Sequence, residues 1–339
     1  MDANERIKLI TRNLQEVIGE DNLKKLLKEK KEVSVYWGTM PTGSISIAYF
    51  FPMLKIADFL KAGLKVKILI ADLHAALDSV PWPLLEKRYE YYTCAIKLIL
   101  KTIGVDIKKL EFVKGSDFQL KPEYMYDILR LSTITSIHAS TKAASEAVKS
   151  AKGSEIKVSG LIYPLMQALD EEYLKADIQF AGVDQRKIMV YAREHLPKIG
   201  YDARIEMMNP MIRGLIGEQM SSSIEGTKID LLDSEETVKK RINNAECVAG
   251  NPNNGIMSIL KNLIFILKSS DNKKFIVKRD KKYGGELIYS SYEEVEKDFK
   301  AKKLHPLDLK LAVTDEINEL LKEFKKDKKI YKLHKEAYS

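Results

Sequence analysis

Apolar positions at Ile7, Ile10, Leu14, Val17 and Ile18, with polar and charged residues between them, predict an amphipathic helix at the start of the chain. The Lys-rich stretch 24–31 then reads as a solvated helix face. Val33-Ser34-Val35-Tyr36-Trp37 predicts a short buried strand broken at Gly38, and Pro41-Thr42-Gly43 is a turn signal leading into an apolar helix over about 45–60. A second strand is expected over 66–70, ending in Ala71-Asp72, then a long helix over roughly 84–103 and a third strand over 110–113. Strands alternating with helices of this length imply βαβ units and a parallel sheet, whose ligands sit at the carboxyl ends of the strands. Chemistry is therefore to be sought just after strands one to three.

The stretch 123–152 reads as a polar helical insertion between two αβ halves. The second half carries Tyr163-Pro164-Leu165-Met166-Gln167-Ala168-Leu169-Asp170, a strand over 178–180, and Gly182-Val183-Asp184-Gln185-Arg186-Lys187. Beyond Asp233 the composition shifts towards Lys-rich helix formers, which places a domain boundary near 231, dividing 1–231 from 232–339. The tail 322–339 has seven Lys against three acidic residues and reads as a basic, frayed end.

Composition narrows the picture. A chain of 339 residues has room for roughly two domains. With 45% hydrophobic against 31% charged residues, there is enough apolar surface to exclude disorder as the main state. No apolar run approaches the ~18 residues a bilayer crossing needs, and Met1-Asp2-Ala3-Asn4-Glu5-Arg6 is no signal region, so a soluble cytoplasmic protein without a membrane partner is expected. Cys94 and Cys247 are too few and too far apart for a disulfide framework or a metal clip, which agrees with a reducing compartment. The net charge of +8 permits an acidic partner such as nucleic acid without demanding one.

Eight blocks then carry a resemblance, in order, from Tyr36 to Lys322. They are Tyr36-Trp37-Gly38-Thr39, residues 57–63, Ala71-Asp72-Leu73-His74-Ala75, residues 161–173, residues 182–187, residues 220–223, residues 228–233 and His305-Pro306-Leu307-Asp308-Leu309-Lys310. Together they resemble the tyrosyl-tRNA synthetases of archaeal and eukaryotic cytosolic type. That resemblance implies a doubly wound, Rossmann-like class I catalytic domain followed by a helical anticodon-binding domain. It also implies formation of tyrosyl-adenylate from L-tyrosine and ATP, then transfer to tRNA(Tyr). ATP enters as substrate with Mg2+, no tightly bound cofactor or protein metal site is needed, and a homodimer formed through the insertion at about 123–151 is expected.

By the same resemblance, Tyr36 and Asp170 read the phenol hydroxyl. Tyr163, Gln167 and Gln185 hold the ammonium group, and Leu69, Ala71 and His74 line the ring slot. Taken alone, Tyr36 could be a packing aromatic, Asp170 a helix-face carboxylate and His74 an ordinary histidine at a strand end. A polar slot of this kind rejects phenylalanine because its buried groups would be left unpaired. The nucleotide is expected along Gly38, Thr39, Thr42, Gly43, Ser46, Ala48 and Met220, where a Gly-containing turn enters a helix N-terminus.

Two signature positions depart from the family. Ser46 stands where a histidine meets the ATP phosphates, and Gln219 replaces the first lysine of the mobile signature Gln219-Met220-Ser221-Ser222-Ser223. Loss of one preorganised group at a developing charge costs about a hundred- to a thousandfold in rate. Ser221, Ser222 and Ser223 can still contact phosphate, although alone they read as a flexible loop, and Lys228 is a cation near enough in sequence to be recruited. An alternative is therefore a tyrosine- or tRNA-binding paralogue with impaired adenylation; a blander one is an unrelated nucleotide-binding α/β protein. For tRNA, Arg186 and Lys187 are expected at the acceptor end and Tyr283, His305 and Asp308 at the anticodon, with Asp308 by itself readable as a helix cap.

Overall fold

The computed structural model describes residues 2–30, 32–146, 148, 156–217, 226–270 and 272–338. Six strands form the central sheet: β1 (Glu16–Ile18), β2 (Ser34–Thr39), β3 (Lys65–Ile70), β4 (Leu110–Lys114), β5 (Ile178–Gly182) and β6 (Ile205–Asn209). Their order is β1-β6-β5-β2-β3-β4. All neighbours pair in parallel except β1, which runs antiparallel on β6. The chain steps from β2 outward to β3 and β4, and from β5 outward to β6 on the other side, so the strand order reverses between β2 and β5. A crevice at the carboxyl ends of strands is found at such a switch point.

The period-2 alternation of the strands divides the core into two. Val35, Trp37, Ile68, Ile70, Ile178 and Phe180 face one buried cluster, shared with the helices Phe50–Lys61 and Leu85–Ile103. Tyr36, Leu69 and Ala71 face the other, shared with the helices Pro122–Ile134, Val158–Tyr173 and Arg186–His195. Helices on both faces make the doubly wound α/β architecture expected from the sequence.

Several boundaries differ from the sequence reading. The opening helix is Ala3–Thr11, and Val17 and Ile18 belong to β1 instead. The cause is tertiary. Lys55 Nζ donates to the carbonyls of Leu9 and Ile10, and the Arg12 guanidinium pairs with buried Asp58; Asn13 then turns the chain with φ +60°. The strand after Val33 runs through Gly38 to Thr39, and the helix expected from 45 begins as a 3-10 turn, Ile47–Tyr49. The insertion comprises two helices, Pro122–Ile134 and Ile137–Ala144, while residues 147 and 149–155 lie outside the described set.

Beyond 231 lie the helices Glu235–Asn244, Pro306–Leu320, Lys322–Lys326 and Lys328–Tyr338, with a hairpin that periodicity did not announce: β7 (Phe275–Val277) against β8 (Leu287–Tyr289). The apolar core continues across residue 231, with Phe324 edge-on to Phe50. The tail is not frayed. Ile330, Leu333 and Ala337 are buried, and the last helix packs along Leu85–Ile103. Lysines on its outer face concealed an apolar stripe at helical spacing.

Candidate active site

Helix Val158–Tyr173 supplies the first wall. Residues 163, 167 and 170 fall four and three apart, on one face of the helix, and Pro164 leaves the carbonyl of Gly160 without its helical donor, a local break in an otherwise regular element. Tyr163, Gln167 and Asp170 therefore project together towards the ends of β2 and β5. Tyr36 and Gly38 come from β2, Leu69 and Ala71 from β3 and the residue after it, His74 from the short helix Asp72–Leu77, and Gln185 from the turn after β5.

All eight residues assigned to the amino acid (Tyr36, Leu69, Ala71, His74, Tyr163, Gln167, Asp170 and Gln185) line one cavity of about 270 Å³. Gly38, Thr39 and Thr42 also line it, whereas Gly43, Ser46 and Ala48 do not. Asp170 is 1% exposed. Its Oδ1 accepts from Gln119 Nε2 at 2.8 Å and from the Tyr124 hydroxyl at 2.9 Å. Burial pushes this carboxyl up to about 8, against the lowering effect of those two bonds. His74 lies edge-on to the Tyr163 ring, centroids 4.7 Å apart, and burial drops its pKa to about 3. The imidazole is therefore neutral, and the 3.8 Å between His74 Nε2 and Asp170 Oδ2 is neither an ion pair nor a hydrogen bond. Gln167 Nε2 donates to Gln185 Oε1 at 3.4 Å, and Gln185 Nε2 to Asp184 Oδ2 at 2.7 Å.

Sequence reasoning missed Gln119, Tyr124, Gln179 and Asp184. Gln119 and Tyr124 come from the segment after β4, and only tertiary folding brings them under Asp170. Gly115 is what lets Gln119 in: a Cβ there would stand 2.6 Å from Gln119 Oε1 and 2.8 Å from Asp72 Oδ1.

Beside the cavity, the turn Pro41–Ser44 is held by its carbonyls. Arg88 donates to Pro41 O and Thr42 O; Tyr92 (2.6 Å) and Tyr338 (2.7 Å) donate to Gly43 O; Lys228 Nζ donates to Ser44 O at 3.2 Å. His334 Nε2 lies 3.1 Å from Ser44 Oγ. Because a peptide is planar and trans, fixing each C=O on one side sends the following N–H to the other. Ser46 is buried and caps the 3-10 turn, accepting from the Ala48 N–H at 3.4 Å, while its backbone bridges Asp230. Gln219, Met220, Ser221, Ser222 and Ser223 lie outside the described residues.

The remaining candidates are on the surface. Arg186 is paired in two-pronged fashion with Glu16 (2.7 and 2.8 Å) and Lys187 with Glu146 (2.9 Å). Tyr283 is 64% exposed. His305 caps the helix Pro306–Leu320, accepting from the Leu307 N–H at 3.2 Å, and Asp308 sits in that helix's first turn. Arg279 joins the two loops, donating to Gly285 O and Lys303 O. Among the described residues no group of three His, Cys, Asp or Glu side chains could hold a metal, and no helix is long and apolar enough to cross a membrane.

A doubly wound sheet with a polar cavity at its switch point is the plan of a ligand-binding α/β domain. The model for the class I tRNA synthetases (W and Y) matches residues 28–322, and the chain belongs to that family. The chain is 53% identical to the cytoplasmic tyrosine--tRNA ligase of Danio rerio over 96% of its own length and 61% of that protein's. It is 46% identical to the cytoplasmic tyrosine--tRNA ligase of Saccharomyces cerevisiae, over 100% of the chain and 89% of that relative. The tyrosyl-tRNA synthetase of Archaeoglobus fulgidus, solved with L-tyrosine, superposes with a TM-score of 0.85 at 35% identity, covering 99% of this chain and 100% of that one. The vertebrate relatives are longer: the chain spans about three-fifths of their length.

Proposed function

We propose that the protein is a tyrosine–tRNA ligase that activates L-tyrosine with ATP to tyrosyl-adenylate and transfers it to tRNA(Tyr). The supporting observation is the cavity at the β2/β5 switch point, which buried Tyr36 and Asp170 line together with Gly38, Thr39 and Thr42. The phenol meets Tyr36 and Asp170, the ring lies along Leu69, Ala71 and His74, and the ammonium meets Tyr163, Gln167 and Gln185. The carboxylate then faces the Pro41–Ser44 turn, where ATP with its Mg2+ presents the α-phosphorus. The carboxylate oxygen attacks that phosphorus and pyrophosphate leaves. No covalent enzyme intermediate is required, so the residues contribute position and electrostatics.

Gln219 brings no charge to the pyrophosphate. Lys228, with its amine 3.2 Å from Ser44 O and paired to Asp230, is the nearby cation that compensates. A homodimer forms through the helix Pro122–Ile134, whose Met125, Tyr126 and Leu129 are exposed apolar side chains next to exposed Ile137. Arg186 and Lys187 exchange their acidic partners for acceptor-end phosphates, and Tyr283 stacks on a splayed anticodon base beside His305 and Asp308. This activity belongs in the cytoplasm. Tyrosine-dependent ATP–pyrophosphate exchange tests the proposal: exchange with tyrosine is expected at concentrations where tryptophan and phenylalanine support almost none, phenylalanine acting only at far higher concentration. Tyrosine binding without exchange would instead identify the adenylation-impaired paralogue.

A further inference from the structure

Strands buried on both faces of a parallel sheet are ordinarily apolar throughout. This sheet carries a polar row. Tyr36 on β2 is in register with Gln179 on β5, and Gln179 with Glu206 on β6, so the three side chains stand side by side on one face. A fourth, Glu171, descends onto the row from the helix that also carries Asp170. Tyr36 and Gln179 are almost wholly buried, and Glu171 and Glu206 are 0% exposed.

The amide of Gln179 satisfies every neighbour in one orientation. Its Oε1 accepts from the Tyr36 hydroxyl at 2.8 Å, while its Nε2 donates to Glu171 Oε1 at 2.6 Å and Glu206 Oε2 at 3.2 Å. Turned over, its oxygen would face the two acids and its N–H the hydroxyl, so that Glu171 Oε1 and Glu206 Oε2 would both lose the hydrogen they accept. Burial raises both carboxyls, Glu206 to about 8, against the pull of Arg193 and Arg204. Glu171 Oε2 and Glu206 Oε1 have no hydrogen-bond partner, which leaves the Gln179 amide as the donor that each acid engages through its other oxygen. The acids thus anchor the amide, and the amide orients the phenol.

A tyrosine hydroxyl has one proton. We infer that Gln179 is a positioning residue for substrate selection: held by Glu171 and Glu206, it takes the Tyr36 proton, so that Tyr36 meets the incoming tyrosine with a lone pair and accepts the substrate's phenolic hydrogen. With that hydrogen given to Tyr36, the substrate oxygen accepts from Asp170, whose buried carboxyl keeps a proton to donate from Oδ2 while Oδ1 accepts from Gln119 and Tyr124. The inference rests on the tyrosine-ligase reading and deepens it. Phenylalanine has no hydrogen to offer, so it would strand Tyr36 as an unpaired buried acceptor, whichever way the ring settles.

The test is a double-mutant cycle in tyrosine- and phenylalanine-dependent pyrophosphate exchange on the full chain, with Gln179→Met, Tyr36→Phe and both together. Gln179→Met is expected to raise the tyrosine KM about tenfold or more, leaving kcat and the phenylalanine KM within about threefold. In the Tyr36→Phe background it should add less than about twofold, because its effect runs through the Tyr36 hydroxyl. The isosteric Gln179→Glu keeps an oxygen towards Tyr36 but needs a proton on its other oxygen to meet Glu171 and Glu206, so it should retain the tyrosine-to-phenylalanine ratio within about threefold at about pH 6. It also serves where Gln179→Met does not fold. Parallel losses for both amino acids, multiplying effects in the double variant, or a collapsed ratio in Gln179→Glu would each overturn the inference. If the unaltered protein shows no tyrosine-dependent exchange, the tyrosine-ligase reading fails instead.

Discussion

Asp170→Ala tests the cavity directly. The carboxyl is buried, receives Gln119 and Tyr124 on Oδ1, and has Oδ2 3.8 Å from Nε2 of His74, which lines the same cavity. A substrate phenol deprived of that partner loses one hydrogen bond in a dry site and leaves its own polar group partly unpaired, at a cost of about 1.5–3 kcal/mol. That corresponds to roughly 10- to 150-fold in tyrosine affinity. ATP, which is expected at the Pro41–Ser44 turn, should bind within about twofold of the unaltered protein. The assay is pyrophosphate exchange with each substrate titrated in turn, and equal losses for tyrosine and ATP would refute the assignment. Stability offers a second readout. The folded-state pKa of about 8 lies above the ordinary carboxyl value, so the folded chain keeps a proton that the unfolded chain releases. The stabilisation is therefore complete below about pH 4 and is lost as pH rises towards 8, an upper bound on the order of 5 kcal/mol. The gap in melting temperature between the unaltered protein and Asp170→Ala should accordingly shrink between about pH 5 and pH 8. An unchanged gap would show that this carboxyl does not titrate there.

Three further outcomes are expected. Tyr338→Phe combined with His334→Ala releases the last helix from Gly43 and Ser44, and should raise the KM for ATP severalfold in exchange while leaving that for tyrosine nearly unchanged; a selective loss for tyrosine would contradict it. Leu129→Glu places a charge on the exposed apolar face of the insertion and should convert a dimer to a monomer by sedimentation, whereas unchanged mass would exclude that face as the interface. Tyr283→Ala should weaken tRNA binding about fivefold or more, the scale of one lost base stack, with tyrosine-dependent exchange unaltered; a loss of exchange would show a structural effect instead.

The sequence by itself determined the alternation of buried strands and helices, hence a parallel sheet, whereas the slot residues Tyr163, Gln167 and Asp170 were named through the family resemblance, and the structure shows them on one helix face lining one cavity. Hydrophobic period is a local property, so it survives reading in one dimension. Tertiary structure decided the rest. Val17 and Ile18 became an edge strand because Asp58 and Lys55, more than forty residues away, end the helix before them. Glu206 belongs to a strand that periodicity did not announce, and its partnership with Gln179 depends on register between β5 and β6. The basic tail became the support of the Pro41–Ser44 turn because Ile330, Leu333 and Ala337 found an apolar groove on another helix. Side-chain type is written in the chain, but hydrogen bonds and burial are made between segments distant along it, and only the folded molecule brings those segments within 3 Å.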